Sequence, residues 1–235
     1  VLDEIAEMTS LAGRRIRWSS GDRRLRDVYF YTAGSALEER GLALRLRQDA
    51  DGWWITLKGE GRAAAGAVER LEVEREWSEQ GLERILGELE ARRVRPPSRP
   101  ALGGKAEPVE VLGEAGFDVI QDRRSRRRRG RILATDGEGE TVARLVLDTV
   151  EFRDRSGAAA VHRGVEIEAA PRAQEGLPGR LASELRDRFP EVLRPWRHPK
   201  LATGLALERM DPPTAGSGAL LPEAYDLLEA ELEGD

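Results

Sequence analysis

The chain has 235 residues, 34% of them charged, yet its 38 Lys and Arg stand against 43 Asp and Glu for a net charge of -5. That balance argues against a general nucleic-acid binder, which carries a basic surplus. The absence of cysteine excludes disulfides and thiolate metal sites. No apolar run approaches the roughly 20 residues that span a bilayer, so a cytoplasmic protein is expected.

The chain opens at Val1 in mid-pattern, with Leu2, Ile5 and Leu11 on one stripe and no cap before them. A helix over Val1–Gly13 is expected, with further residues upstream. Strand-like segments follow at Asp27–Thr32, Gly41–Gln48, Trp53–Lys58 and Glu69–Trp77, each bounded by Gly, Asp or a polar turn. Asp49-Ala50-Asp51-Gly52 reads as a hairpin connection. Ser78–Arg93 carries Leu82, Ile85, Leu86 and Leu89 at helical spacing behind a Ser78 N-cap. Arg95–Pro108 concentrates Pro and Gly as a linker.

A short helix at Val109–Ala115 then leads into strands at Val119–Arg129, Arg131–Thr135, Thr141–Val150 and Val161–Ala170. The turn Asp136-Gly137-Glu138-Gly139 separates the second and third of these. Pro178–Phe189 and Pro222–Glu233 read as helices. The order repeats, so residues 1–207 are expected to form one domain of two similar halves, 1–94 and 108–207, joined by the linker 95–107. Residues 208–235 are read as a tail or the start of a helical segment.

Alternation within the strands is clean. Leu42, Leu44 and Leu46 oppose Arg45 and Arg47; Ile55 and Leu57 oppose Thr56 and Lys58; Leu71 and Val73 oppose Glu72 and Glu74. Later, Leu145 and Leu147 oppose Arg144 and Asp148, and Val165 and Ile167 oppose Glu166 and Glu168. Period two gives each strand one apolar and one charged face. An antiparallel sheet with its charged face in water would do the same. The ordered series Arg-x-Arg, Thr-x-Lys, Glu-x-Glu instead suggests a sheet closed with its charges inward. Buried charges are costly without partners, and a polyanion with a hard cation would satisfy both signs.

The segments DVYFYT, GLALRLR, WWITLKG and ERLEVE, the Arg-rich strand at Asp122–Arg129, LVLD, VEIE and HPKLATG, in this order, resemble the CYTH family of triphosphate tunnel metalloenzymes. That resemblance implies an α+β fold, an eight-stranded antiparallel β-barrel with flanking helices. It implies Mg²⁺ or Mn²⁺ and a triphosphate-containing small molecule or polyphosphate as partner, with no membrane. Members include thiamine, inorganic and RNA triphosphatases and one class of adenylate cyclase. Carried over by position, Arg45, Arg47, Lys58, Arg124, Arg126 and Lys200 would bind triphosphate, with the register inside Arg123–Arg129 open by one residue. Glu166, Glu168 and Asp148 would hold metal, and Lys58, Asp148, Glu72 and Glu74 would be catalytic. Tyr31 stands where the family carries an acid. The family's opening Glu-x-Glu-x-Lys strand is expected upstream of Val1.

Other signals are weaker. The run Arg123–Arg129 lacks interleaved aromatics for base stacking. His162 and His198 share no zinc-ligand spacing and are read as surface or packing residues. The glycines of Leu102–Lys105 lack a phosphate-loop pattern. The reaction expected is hydrolysis of a triphosphate; the alternatives are a non-catalytic polyphosphate or nucleotide binder and an adenylate cyclase.

Overall fold

A computed structural model describes the chain except residues 33–34, 65–66, 96–97, 99–105, 136–138, 172 and 235, with residues 60–70 described by backbone alone. Most of the expected linker, the glycines of Leu102–Lys105 and the turn at 136–138 therefore lie outside the described residues. The described residues form nine strands and six α-helices. Each strand pair with a defined register is antiparallel. Eight of the strands have five residues or more; the ninth has two.

The chain divides into two compact units, Leu25–Arg124 and the remainder, Val1–Arg24 with Ser125–Asp235. The boundaries cut two long strands, β3 (Arg23–Thr32) and β7 (Phe117–Leu133).

In the Leu25–Arg124 unit the strand order is β7-β3-β4-β5-β6, with β4 at Leu42–Asp49, β5 at Gly52–Ala64 and β6 at Ala67–Glu76. The β4–β5 hairpin closes where Asp49 Oδ1 accepts from the Asp51 amide at 2.9 Å and Gly52 takes a φ of 135°. An Asx turn followed by a residue in glycine's own region needs this sequence. The hairpin pairs Leu44 with Leu57 and Leu46 with Ile55 on one face, and Arg45 with Thr56 on the other. Helix α2 (Glu79–Ala91) starts where Ser78 Oγ accepts from the Gly81 amide at 3.0 Å. Its Leu82, Ile85, Leu86 and Leu89 pack with the apolar face of the hairpin and with Phe117, beyond helix α3 (Pro108–Glu114).

The other unit does not begin with the helix expected over Val1–Gly13. Helix α1 spans only Leu2–Glu7, and the chain then turns into β1 (Ser10–Leu11) and β2 (Arg14–Trp18). Ala12 and Gly13 both have positive φ, 48° and 70°. This is the geometry of a two-residue hairpin turn, which no helix continues through. Strand β2 pairs with β7, matching Ile16 with Ile132 and Trp18 with Gly130. The expected break at Gly130 is absent. A Cβ there would lie 2.9 Å from the Trp18 ring, so this glycine marks a close approach inside one continuous strand.

Strands β8 (Thr141–Arg153) and β9 (Ala159–Ala169) pair in register, and β8 also pairs with β7. Helix α4 (Leu177–Arg188) joins Ile5, Leu11, Ile16 and Leu145 in one core through Leu177, Leu181 and Leu185. The C-terminal residues fold back onto the same unit. Helices α5 (Lys200–Arg209) and α6 (Pro222–Glu233) bury Leu207 and Leu228 with Val150 and Phe152.

Candidate functional site

Among the described residues, each unit contains one cluster of buried charge. In the Leu25–Arg124 unit it grows from the face of the hairpin turned away from α2. Arg45 is 3% exposed and Thr56 0%, so this is not a solvent face. Arg45 Nη2 donates to Thr56 Oγ1 and to Glu74 Oε2, both at 3.0 Å, and Thr56 Oγ1 donates to the same Glu74 oxygen. Arg45 Nε is buried with no hydrogen-bond acceptor among the described residues.

The centre is Asp27 on β3, 3% exposed, which pairs across the strands with Arg47. Arg47 donates to it in a fork, at 2.7 and 3.0 Å. Arg45 Nε lies 3.7 Å away and Arg123 Nε 3.9 Å. Burial alone would raise the Asp27 carboxyl. The Arg47 hydrogen bonds and the charges of Arg47, Arg45 and Arg123 outweigh it and bring it down to about 2. Arg123 also donates to Gln121 Oε1 at 2.9 Å and Tyr29 OH at 3.0 Å, and lies over the Tyr29 ring at 4.7 Å. Nearer the exposed side, Lys58 Nζ is 2.8 Å from Glu72. Burial opposes ionisation of Glu72, but the Lys58 contact holds it below its ordinary range.

In the other unit the centre is Asp148 on β8, 0% exposed. Arg127 forks onto it at 2.7 and 2.6 Å. Lys200, at the start of α5, donates to its Oδ2 at 2.6 Å and to Glu166 on β9. Arg127 Nη2 lies 3.8 Å from Glu166. Burial pushes the Asp148 carboxyl up, and the Arg127 fork and the Lys200 charge together pull it below its ordinary range. Glu168 stands two residues along β9 from Glu166, exposed and with no ion-pair partner among the described residues.

Arg45, Arg47, Glu72, Glu74 and Lys58 thus fall in one cluster as the strand parity implies, and Lys200, Asp148 and Glu166 in the other. Arg124 and Arg126 do not join either. Arg124 is exposed, and the Arg126 side chain is 61% exposed with Asp22 at 3.4 Å. The buried arginines of β7 are Arg123 and Arg127, one residue from each expected position. Because Arg occupies almost every position of this run, composition carries no parity; only the buried Gln121, two residues before Arg123, marks the inward side. Asp27 was not singled out either, although it lies on the parity of Tyr29 and opposite an Arg-x-Arg strand.

The carboxylates of the second cluster are hard oxygen donors, the kind that Mg²⁺ and Mn²⁺ take. Both Asp148 oxygens are engaged by cations, and the Lys200 ammonium lies between Asp148 and Glu166. Glu166 and Glu168 would offer oxygens to such a cation, while Asp148 binds Arg127 and Lys200. Among the described residues, the three-residue group whose ligand atoms converge within 4.8 Å is a different one, His198, Glu229 and Glu233.

Comparison with solved structures finds weak likenesses. An adenylyl cyclase candidate from Hippeastrum, described as having a dominant triphosphatase activity, is 19% identical, with 87% of each chain covered and a TM-score of 0.49. An adenylate cyclase candidate from Bacillus halodurans is 17% identical over 81% of this chain and 96% of its own, with a TM-score of 0.44. A protein from Pyrococcus horikoshii is 16% identical over 83% and 89%, with a TM-score of 0.42. No curated protein matches. The assignment rests on the sequence profile of the CYTH domain, which matches residues 12–184, and the chain belongs to the CYTH domain family.

Proposed function

We propose that this chain binds triphosphate-containing molecules and hydrolyses them with the help of a divalent cation. The observation that carries the reading is the cluster around Asp27. Three guanidiniums reach one buried carboxylate at 2.7, 3.7 and 3.9 Å. Arg45 also pairs with Glu74 at 3.0 Å. Converging guanidiniums attract an incoming anion, and their planar forks match phosphate oxygens two at a time.

In this reading Arg45, Arg47 and Arg123 take phosphate oxygens, with Lys58 as an added point charge. Arg127 and Lys200 supply positive charge in their own unit, held in place by Asp148. Arg124 and Arg126, on the exposed side, give their expected roles to Arg123 and Arg127. Glu166 and Glu168 would hold the Mg²⁺ or Mn²⁺. When bound, the metal draws charge from the transferring phosphoryl group. Glu72 and Glu74 keep Lys58 and Arg45 oriented. Phosphoryl transfer needs little from a protein beyond positioning and charge stabilisation, and these residues provide both without a covalent intermediate.

The test is phosphate release from tripolyphosphate, ATP and thiamine triphosphate, each with and without Mg²⁺ or Mn²⁺. Release that requires metal supports the reading, and a chain inert with all three overturns hydrolysis. A second reading, binding without turnover, is favoured by one observation. Glu72, Glu74, Asp148 and Glu166 are each engaged by a cation, which leaves none of them unoccupied to activate water. Saturable tripolyphosphate binding with no product would select it. Cyclic nucleotide and pyrophosphate from ATP would select a cyclase instead.

A further inference from the structure

His198, Glu229 and Glu233 bring three ligand atoms within 4.8 Å of one another. None of them belongs to the charge clusters above. Glu229 and Glu233 are four residues apart on α6, so they share one helix face. His198 comes from the segment that leads into α5, with its ring 5.1 Å from the Trp196 ring in an edge-on arrangement. The Trp196 Nε1 in turn donates to the buried Thr203 hydroxyl at 3.1 Å, which fixes the indole that His198 rests on.

From this geometry we infer a second metal site, built from one imidazole and two carboxylates, that takes a borderline divalent cation of the Zn²⁺ type. The mixed donor set decides the class. One nitrogen and two carboxylate oxygens, with a fourth position left for water, suit Zn²⁺. Mg²⁺ prefers oxygen throughout and keeps its waters. A neighbouring cation does not preclude the site. Arg194 holds Glu229 at 2.6 Å but also holds Asp226 at 2.7 Å, so it stays paired when Glu229 turns to the metal.

The site ties α6 to the segment that carries Lys200, two residues beyond His198. It acts as a clasp, holding the C-terminal helix against that segment. Sequence spacing could not show it, because His198 is 31 residues from Glu229 and belongs to no metal-ligand motif.

The experiment is calorimetric titration of the metal-stripped full chain with ZnCl₂ and, separately, MgCl₂, for the parent and the His198→Ala and Glu233→Gln variants. Glu233 is exposed, so its substitution leaves the core intact. The expected result is one Zn²⁺ per chain, little Mg²⁺ at this site, and Zn²⁺ binding weakened at least about 10-fold in each variant, as loss of metal-site partners commonly causes. A Glu166→Gln/Glu168→Gln variant should keep that Zn²⁺, which separates this site from the proposed triphosphate chemistry. No Zn²⁺ binding, or binding unchanged in His198→Ala and Glu233→Gln, overturns the inference.

Discussion

Asp27→Asn removes a buried carboxylate on which Arg45, Arg47 and Arg123 converge. The ordinary carboxyl value is 3.8 and the folded one about 2, a gap of about 1.8 pH units. At 1.36 kcal/mol per unit this corresponds to on the order of 2 kcal/mol of folding stability. Asp27 is almost fully buried, so solvent screening does not reduce that figure. The folded carboxyl binds its proton less tightly than the unfolded one. Its contribution is therefore complete above about pH 4 and is lost as the pH falls towards about 2. Substitution at neutral pH costs more, on the order of 3–5 kcal/mol, because the arginines lose a buried partner. The assay is urea unfolding of the parent and the variant, followed by tryptophan fluorescence, at several pH values from about 7 to about 2. The stability difference should shrink by about 2 kcal/mol between about pH 5 and about pH 2. A difference constant across that range would refute the argument that Asp27 is ionised by its arginines.

Asp148→Asn should destabilise the chain by about 3–5 kcal/mol in the same assay, since Arg127 and Lys200 would lose their shared buried carboxylate. Ser78→Ala removes the N-cap acceptor of α2 and should cost about 1 kcal/mol. Arg47→Lys keeps the charge but not the two-pronged fork, and tripolyphosphate affinity should fall by about tenfold, the equivalent of about 1.4 kcal/mol. Arg124→Ala with Arg126→Ala should leave that affinity within about twofold, as exposed charges contribute little. Arg127→Ala should lower it sharply, and the reverse ranking would show that the inward side of β7 is misassigned.

Strand parity made much of the fold and half of the site readable. In β4, β5 and β6 the alternating Leu42, Leu44, Leu46, Ile55, Leu57, Leu71 and Val73 do pack in the core with α2, while Arg45 and Thr56 are buried on the opposite face. Period two fixes a face only where the two sets differ in chemistry. In β7 the residues from Arg126 to Arg129 are all Arg, so nothing local distinguishes the inward positions from the outward ones. Burial then depends on the partners Asp27 and Asp148, which lie on other strands. Strand β2 was missed because Ile16 and Trp18 are its only apolar residues, too few for a pattern. The turn at Ala12-Gly13 was missed because Ala gives no sign that it will adopt positive φ. His198, Glu229 and Glu233 meet only through the packing of α5 and α6, a tertiary fact with no sequence period.

The most direct test of the central claim is calorimetric titration of tripolyphosphate into the parent chain and Arg47→Lys, with and without Mg²⁺. The arginine cluster around Asp27 predicts saturable binding of one anion per chain, strengthened by metal and weakened by the substitution. Absence of binding to the parent chain, or equal binding by both proteins, would contradict it.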